Sequence, residues 1–155
     1  MGDLRLLVVS HSQTGGTAAL VAAFLTGARD EQIEGVTVVE RDALDASPVD
    51  VLAADAIVLA TPENFGYMSG ALKYFFDRIY EPCREHTRGR PYALIIKARD
   101  DGQGAQRSVE RIVTGLAWRA TRPPLIVLGP VTGADLDAAT ELGMTVAAEL
   151  SLAAG

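Results

Sequence analysis

The chain has 155 residues, 48% hydrophobic and 22% charged, which is typical of one soluble globular domain, expected to span residues 1–155. Its formal net charge of -6 leaves no cation excess for a phosphate backbone or an anionic lipid surface, so neither a nucleic-acid nor a membrane partner is expected. The single cysteine, Cys83, excludes a disulfide framework, and no metal site is predicted. The apolar runs are too short for a signal sequence or a membrane span, so we expect a cytoplasmic protein.

Short apolar runs alternate with stretches of helical periodicity along the whole chain. Strands are predicted at residues 4–9, 36–40, 56–60, 92–97 and 124–129. Helices are predicted around residues 20–28, over 47–54 with Ser47 as the N-cap, over 70–80, around 109–116 and from about 135 to 150. Apolar strands joined by helices predict an α/β fold, a doubly wound five-stranded parallel sheet with helices on both faces.

Two loops stand out by their composition. Residues 10–17, SHSQTGGT, follow the first strand, and residues 61–66, TPENFG, follow the third. In a doubly wound sheet, ligands bind outside the carboxyl ends of the strands, where the strand order reverses. If the strand order is 2-1-3-4-5, both loops border that reversal. The sequence therefore predicts a ligand site between the first and third strands.

The first loop has the chemistry of a phosphate site. A helix that begins near Thr17 offers unpaired N–H groups, Gly15 and Gly16 allow close approach, and nearby hydroxyls can donate to phosphate oxygens. The loop has no lysine, unlike the phosphate loop of nucleotide hydrolases, and no Gly-x-Gly-x-x-Gly pattern for a dinucleotide. These residues favour a terminal phosphate monoester held without a cation. The alternative is a polar turn that ends in a threonine cap.

Ser12 to Thr17 match the [Thr/Ser]-x-Thr-Gly-x-Thr loop of flavodoxins, which holds the phosphate of FMN. Residues 60–80, ATPENFGYMSGALKYFFDRIY, resemble the corresponding segment of flavodoxin-like NAD(P)H-dependent FMN and quinone reductases, including a Gly-x-Leu-Lys-x-Phe-x-Asp helix start at Gly70. The element order of the whole chain is similar to that family. The resemblance implies a flavodoxin-like fold with strand order 2-1-3-4-5, and FMN as the cofactor.

The resemblance also assigns the cofactor-binding residues. The first loop would bind the phosphate, the loop after the third strand would line the isoalloxazine ring, and the loop after the fourth strand, residues 98–104, would approach the pyrimidine side. The predicted set is Ser10, Ser12, Gln13, Thr14, Gly15, Gly16, Thr17, Pro62, Glu63, Asn64, Phe65, Gly66, Ala98, Arg99, Asp100 and Gly102. No acid–base side chain is required of the protein, so no catalytic residue is nominated.

The sequence departs from flavodoxin electron carriers in the loop after the fourth strand, which has no aromatic side chain to stack on a second face of the flavin. This favours a reductase that accepts hydride from NAD(P)H and reduces a quinone, a flavin or a similar small acceptor. Two alternatives stay open: a flavodoxin-type electron carrier, and a flavin-free module of the same fold. A homodimer with Tyr67 and Met68 packed across a two-fold axis is compatible with the sequence. The sequence specifies neither the electron acceptor nor which of NADH and NADPH is the reductant.

Overall fold

The computed structural model describes residues 2–154, which form a β-sheet between two layers of helices. The strands are β1 (Leu4–Ser10), β2 (Val36–Asp42), β3 (Ala56–Asn64), β4 (Tyr67–Met68), β5 (Pro91–Ala98), β6 (Arg119–Ala120) and β7 (Leu125–Leu128). The helices are α1 (Gly16–Ala28), α2 (Pro48–Ala53), α3 (Gly70–Cys83), α4 (Gln103–Leu116) and α5 (Gly133–Ala154). Among the described residues, no helix is both long and apolar enough to cross a membrane.

The strand order confirms the predicted doubly wound topology. The sheet runs β2-β1-β3-β5, and β6 and β7 both pair with β5 at the far edge. All of these pairings are parallel, and β4 pairs with β3 in the antiparallel direction. Because β1 and β3 are neighbours, with Ser10 opposite Ala60, the loops that follow them begin side by side.

Alternating side chains divide the core into two halves. On β1, Leu7 and Val9 pack in the half that contains α2, α3 and α4, whereas Leu6 and Val8 pack in the half that contains α1 and α5. The central strand β3 alternates in the same way. Both faces of the sheet are therefore buried, as uninterrupted apolar strands predict.

The predicted fifth strand, 124–129, is confirmed as β7 (Leu125–Leu128), and a further two-residue strand, β6 (Arg119–Ala120), precedes it at the same edge of the sheet. β6 pairs with the amino end of β5 and β7 with its carboxyl end, and residues 121–124, ThrArgProPro, separate them. Proline has no N–H to donate to a strand ladder and is tolerated at a sheet edge. Pro123 and Pro124 therefore break the pairing at an edge position.

Other boundaries also differ from the prediction. The third strand continues beyond residue 60 to Asn64 and turns back through β4, because residues 61–68 form a hairpin instead of an open loop. α3 extends to Cys83 and α5 begins at Gly133. The short helix α2 is as predicted, with Ser47 as N-cap and Pro48 at its first position, and Asp50 completes a capping box.

Candidate functional site

Three loops meet at one edge of the sheet, which we name the carboxyl edge because it consists of the carboxyl ends of β1, β3 and β5. The loop of residues 11–15 leads from β1 into α1, the 61–69 hairpin follows β3, and residues 99–102 lead from β5 into α4. The backbone N–H of His11 donates to the carbonyl of Ala60 at 3.4 Å, which ties the first loop to the third strand. The three predicted segments thus lie at the same edge of the sheet, and we refer to the space between them as the cleft.

The 11–15 loop ends in a glycine that shapes the start of α1. Gly15 is the N-cap and has a φ of 96°, in the left-handed region that favours glycine. The Ser12 Oγ accepts hydrogen bonds from the N–H groups of Gly15 at 3.2 Å and Ala18 at 3.1 Å. Both acceptor positions of this hydroxyl are used, so its proton is free to be donated to a ligand.

Two backbone N–H groups at the start of α1 are unpaired in the described part of the chain. Within residues 2–154, the N–H groups of Gly16 and Thr17 have no hydrogen-bond acceptor, whereas Ala19 already donates to Gly15 in the helical pattern. Free N–H groups at a helix start carry a partial positive charge and bind anions. The free Ser12 hydroxyl proton, these two N–H groups and a bare glycine backbone therefore fit a phosphate monoester.

The loop is not as free of cations as the sequence suggested. A Cβ placed on Gly16 would lie 3.2 Å from the Cε of Lys97 and 3.3 Å from its Cγ, so this lysine from β5 lies along the first turn of α1. Lys97 is absent from the predicted set, because it stands at the end of the mostly apolar run of residues 92–97 and no neighbouring residue marks it as part of the site.

His11 packs toward the end of β2. Its Nδ1 is buried without a hydrogen bond in the described chain and lies 3.7 Å from the Asp42 carboxylate at the end of β2. The imidazole therefore faces the β2 side of the loop.

The 61–69 hairpin reverses over two residues with positive φ. Phe65 has a φ of 53° and Gly66 of 70°, and the flanking pairs are Glu63 with Met68 and Asn64 with Tyr67. Two consecutive left-handed residues are typical of a type I′ hairpin turn. For phenylalanine this backbone is strained, and the Phe65 ring is fully exposed at the tip of the turn. A strained, exposed aromatic beside the cleft is suited to stacking on a planar ligand.

The hairpin is held rigidly against α4. The Glu63 carboxylate accepts from the N–H of Ala105 at 2.8 Å, and Ser108 Oγ accepts from the N–H of Met68 at 3.1 Å. A Cβ on Gly104 would collide with the carbonyl oxygen of Gly66, so glycine is what lets the helix touch the turn. These contacts fix the position of the turn, which a ring-binding loop requires.

The base of the hairpin is closed by a buried threonine. The Thr61 hydroxyl donates to the carbonyl of Pro62 at 2.8 Å and accepts from the N–H of Ser69 at 2.9 Å. Ser69 in turn caps α3 by accepting from Leu72. Thr61, Ser69 and Ser108 were absent from the predicted set, since their support of the hairpin depends on contacts distant in sequence.

The loop after β5 contributes a polar rim. Arg99 and Asp100 are exposed, and Ala98 is buried at the end of the strand. Gly102 is the N-cap of α4 with a φ of 72°, and a Cβ there would lie 2.8 Å from Ile126. It therefore shapes the helix start and packs toward β7.

The predicted residues thus take different parts in the cleft. Most of the predicted residues lie in the three segments that border the cleft. They are the residues of loop 11–17, Pro62, Asn64, Phe65, Gly66, Arg99 and Asp100. Glu63 is committed to α4 and Gly102 to the packing beside β7. Met68 is 2% exposed and belongs to the core, so of the two residues named for a two-fold contact only Tyr67, at 41% exposed, offers surface to a partner.

A separate cavity lies at the other end of the sheet. It has a volume of about 380 Å³ and lies beside the amino ends of β3 and β5, with lining residues that include Ala56, Pro91, Arg119, Arg122 and Leu150. This is the end of the sheet opposite the three loops. Neither the unpaired donors at the start of α1 nor the strained turn at Phe65 lies there, and ligands of doubly wound sheets bind at the carboxyl ends of the strands.

Comparisons with known proteins agree with this fold and chemistry. A family model described as NADPH-dependent FMN reductase matches residues 24–129, a span that begins after the 11–15 loop. A protein named Flavodoxin from Aquifex aeolicus (strain VF5) is 33% identical over 75 residues, which are 48% of this chain and 40% of that protein.

Two solved structures extend the likeness over nearly the whole chain. A flavodoxin from the domain Archaea superposes with a TM-score of 0.79 at 21% identity, over 95% of this chain and 99% of the other. A WrbA-like flavodoxin from Agrobacterium tumefaciens gives 0.77 at 19% identity, over 97% and 99%. At these identities the likeness establishes the flavodoxin-like fold.

Proposed function

The chain belongs to the NADPH-dependent FMN reductase family, and on that premise we propose that it binds FMN at the carboxyl edge and oxidises NAD(P)H. The electrons would pass to a quinone, a flavin or a similar small acceptor. When bound, FMN supplies the redox centre for both half-reactions, and the protein supplies position and electrostatics.

The observation that carries the proposal is the pairing of two preformed features in one cleft. The start of α1 presents the N–H groups of Gly16 and Thr17 beside the Ser12 hydroxyl, which suits a phosphate. The 61–69 hairpin presents Phe65 and the peptide of Gly66 in a fixed position, which suits an aromatic ring. FMN joins a phosphate to an aromatic ring system.

The residues around the ring would have distinct parts. Asn64 can both donate and accept hydrogen bonds at a heterocycle edge, and the absence of a side chain at Gly66 allows the backbone to approach the ring plane. Arg99 at the rim offers a positive charge, which can stabilise negative charge or remain solvated. No side chain needs to move a proton in this scheme.

An uncovered face of the flavin ring would favour a reductase over an electron carrier. Residues 99–102, ArgAspAspGly, offer no aromatic side chain to cover the second face of a ring placed against the hairpin. A nicotinamide or a quinone could then stack on that face. Reductase activity also requires that the acceptor reach the cleft, which the exposed rim of Arg99 and Asp100 allows.

The second candidate is a flavodoxin-type electron carrier that does not oxidise NAD(P)H itself. It is favoured by the relative named Flavodoxin and by the net charge of -6, which would suit docking to a basic redox partner. The carrier would use the same FMN site, so FMN binding alone does not separate the two candidates.

Anaerobic absorption spectroscopy separates them. The FMN-loaded protein is mixed with NADPH or NADH without oxygen, and the visible flavin band is followed against free FMN at the same concentration. A reductase loses the band promptly and regains it when a quinone is added. A bound flavin that keeps its band with both nicotinamides would contradict the reductase proposal and favour the carrier, and a protein that binds no FMN would contradict both.

A further inference from the structure

Lys97 lies against the helix turn that is proposed to hold the cofactor phosphate. Its Cε, Cγ and Cδ would be 3.2, 3.3 and 3.6 Å from a Cβ on Gly16, so its aliphatic stem runs across the first residue of α1. Gly16 makes room for this stem, because a side chain there would have to displace it. The terminal ammonium is one bond beyond the Cε, at the start of the helix.

The strand register places this lysine at the site. Lys97 pairs with Pro62 of β3 and Val127 of β7, near the carboxyl end of β5. Ala93 and Ile95, two and four residues earlier on β5, pack in the core half that contains α1 and α5. Alternation along the strand puts Lys97 on that same side, directly under the amino end of α1.

The charge at this position lacks a partner in the protein. Among residues 2–154, no carboxylate forms an ion pair with Lys97, although acidic residues outnumber basic ones 20 to 14. The helix start carries a partial positive charge of its own, which disfavours a neighbouring cation. A half-buried ammonium beside free N–H groups is therefore unfavourable until an anion lies between them.

We propose that Lys97 binds the phosphate group of the flavin cofactor and makes the site specific for the phosphorylated flavin over the unphosphorylated one. The inference rests on the proposed function, and it adds to that site a cation that the 11–17 loop does not contain. The ammonium would act together with the N–H groups of Gly16 and Thr17 and the Ser12 hydroxyl. A charge-assisted hydrogen bond to a phosphate is stronger than a neutral one, so its contribution is large enough to measure.

The test compares FMN with riboflavin, which has the same ring system and no phosphate. Binding of both to the wild-type protein, Lys97→Met and Lys97→Arg is measured by flavin fluorescence at low and high salt. Lys97→Met is expected to weaken FMN binding roughly 10- to 100-fold, to leave riboflavin unchanged and to reduce the salt dependence of FMN binding. Lys97→Arg keeps the charge and should retain most of the preference for FMN.

Lys73 provides a matched control, because Lys73 and Lys97 are the only lysines of the chain. Lys73 lies on α3 and its Nζ is 2.6 Å from the Asp77 carboxylate, and that hydrogen bond raises its pKa. Lys73→Met makes the same change in net charge and should leave FMN binding unchanged. Equal losses for the two variants would mean that net charge alone acts, and would overturn the proposal.

Chemical labelling gives a readout that does not depend on substitution. The protein is acetylated with and without FMN, and modification at each of the two lysines is quantified by mass spectrometry. FMN should protect Lys97 and leave Lys73 unaffected, whereas riboflavin should protect neither. FMN binding that leaves Lys97 labelling unchanged, or a Lys97→Met variant with wild-type FMN affinity, would overturn the role of Lys97 while the proposed function stands. A wild-type protein that binds neither flavin would overturn both.

Discussion

Phe65 and Gly66 show how single residues define the cleft. Their φ angles of 53° and 70° form a turn that projects an exposed ring, and the contact of Gly66 with Gly104 fixes that turn on α4. The sequence marks Asn64, Phe65 and Gly66 as ring residues, but the contact with Gly104 lies about forty positions away. Such a contact has no local signature, because glycine is common at loop-to-helix junctions whether or not a distant segment touches it.

Gly104→Ala tests this contact at the residue scale. The new Cβ would collide with the carbonyl of Gly66, so the hairpin or the start of α4 must shift. We expect a loss of about 1–3 kcal/mol in the free energy of unfolding and weaker FMN binding, both followed by titration. Gly70→Ala, at the first residue of α3 with no atom within 4 Å of its Cβ, is the matched control and should change neither. Wild-type FMN affinity in Gly104→Ala would show that the turn does not position the ring.

The buried thiol of Cys83 makes the stability of the fold depend on pH. The side chain is fully buried, its thiol donates to the carbonyl of Pro48 at 3.9 Å, and burial raises its pKa. A raised pKa means that the folded chain keeps a proton that the unfolded chain releases. The stabilisation is therefore complete below the usual thiol pKa and is lost as the pH rises through the folded value.

Thiol labelling tests the burial of Cys83 that raises its pKa. The native protein should not react with a disulfide reagent such as DTNB at mildly alkaline pH, and should release one equivalent of thiol in denaturant, since Cys83 is the only cysteine. Rapid stoichiometric labelling of the native protein would mean that the C-terminal end of α3 opens readily.

At the element scale, α1 and α5 form the closest helix pair. A Cβ on Gly143 would collide with the carbonyl of Phe24, and one on Gly27 with the carbonyl of Thr140, so each helix has a glycine where the other backbone touches it. α1 also carries the proposed phosphate turn at its start. The packing of α5 therefore supports the element that presents Gly16 and Thr17.

Gly143→Ala should separate the two helices. We expect a destabilisation of about 1–3 kcal/mol in denaturant unfolding, because backbone atoms cannot move aside as a flexible side chain can. Gly133→Ala, in the same helix and without a neighbour within 4 Å of its Cβ, controls for the change in chain entropy. Two variants of equal stability would contradict the close helix contact.

The elements that the sequence predicts well are those whose signal is local. The buried strand at 56–60 and the helix capped by Ser47 were both predicted, because apolar runs and caps act over a few residues. The hairpin of residues 61–69 was not, since TPENFGYMSG has no alternating pattern and Phe-Gly is not a typical type I′ pair. The short strand β6 was not predicted either, because a pairing of only Arg119 and Ala120 with β5 leaves no apolar run in the sequence.

At the scale of the whole molecule, two regions at opposite ends of the sheet are candidates for a ligand. The cavity of about 380 Å³ lies beside Arg119 and Arg122, and Arg122 is already paired with Glu149. The cleft at the carboxyl edge has the unpaired donors, the strained turn and a lysine that forms no ion pair among residues 2–154. Chemistry and topology therefore support the proposal that the ligand binds in the cleft.

The most direct test of this assignment is an amide NMR titration of the protein with FMN. If FMN binds at the carboxyl edge, the largest shift changes fall on Gly16, Thr17 and the neighbouring loop, on residues 62–66, and on residues 98–101. Riboflavin should reproduce the changes at 62–66 and leave those at Gly16 and Thr17 small. Shift changes centred on Ala56, Arg119 and Leu150 would contradict this assignment and place the flavin in the cavity at the opposite end of the sheet.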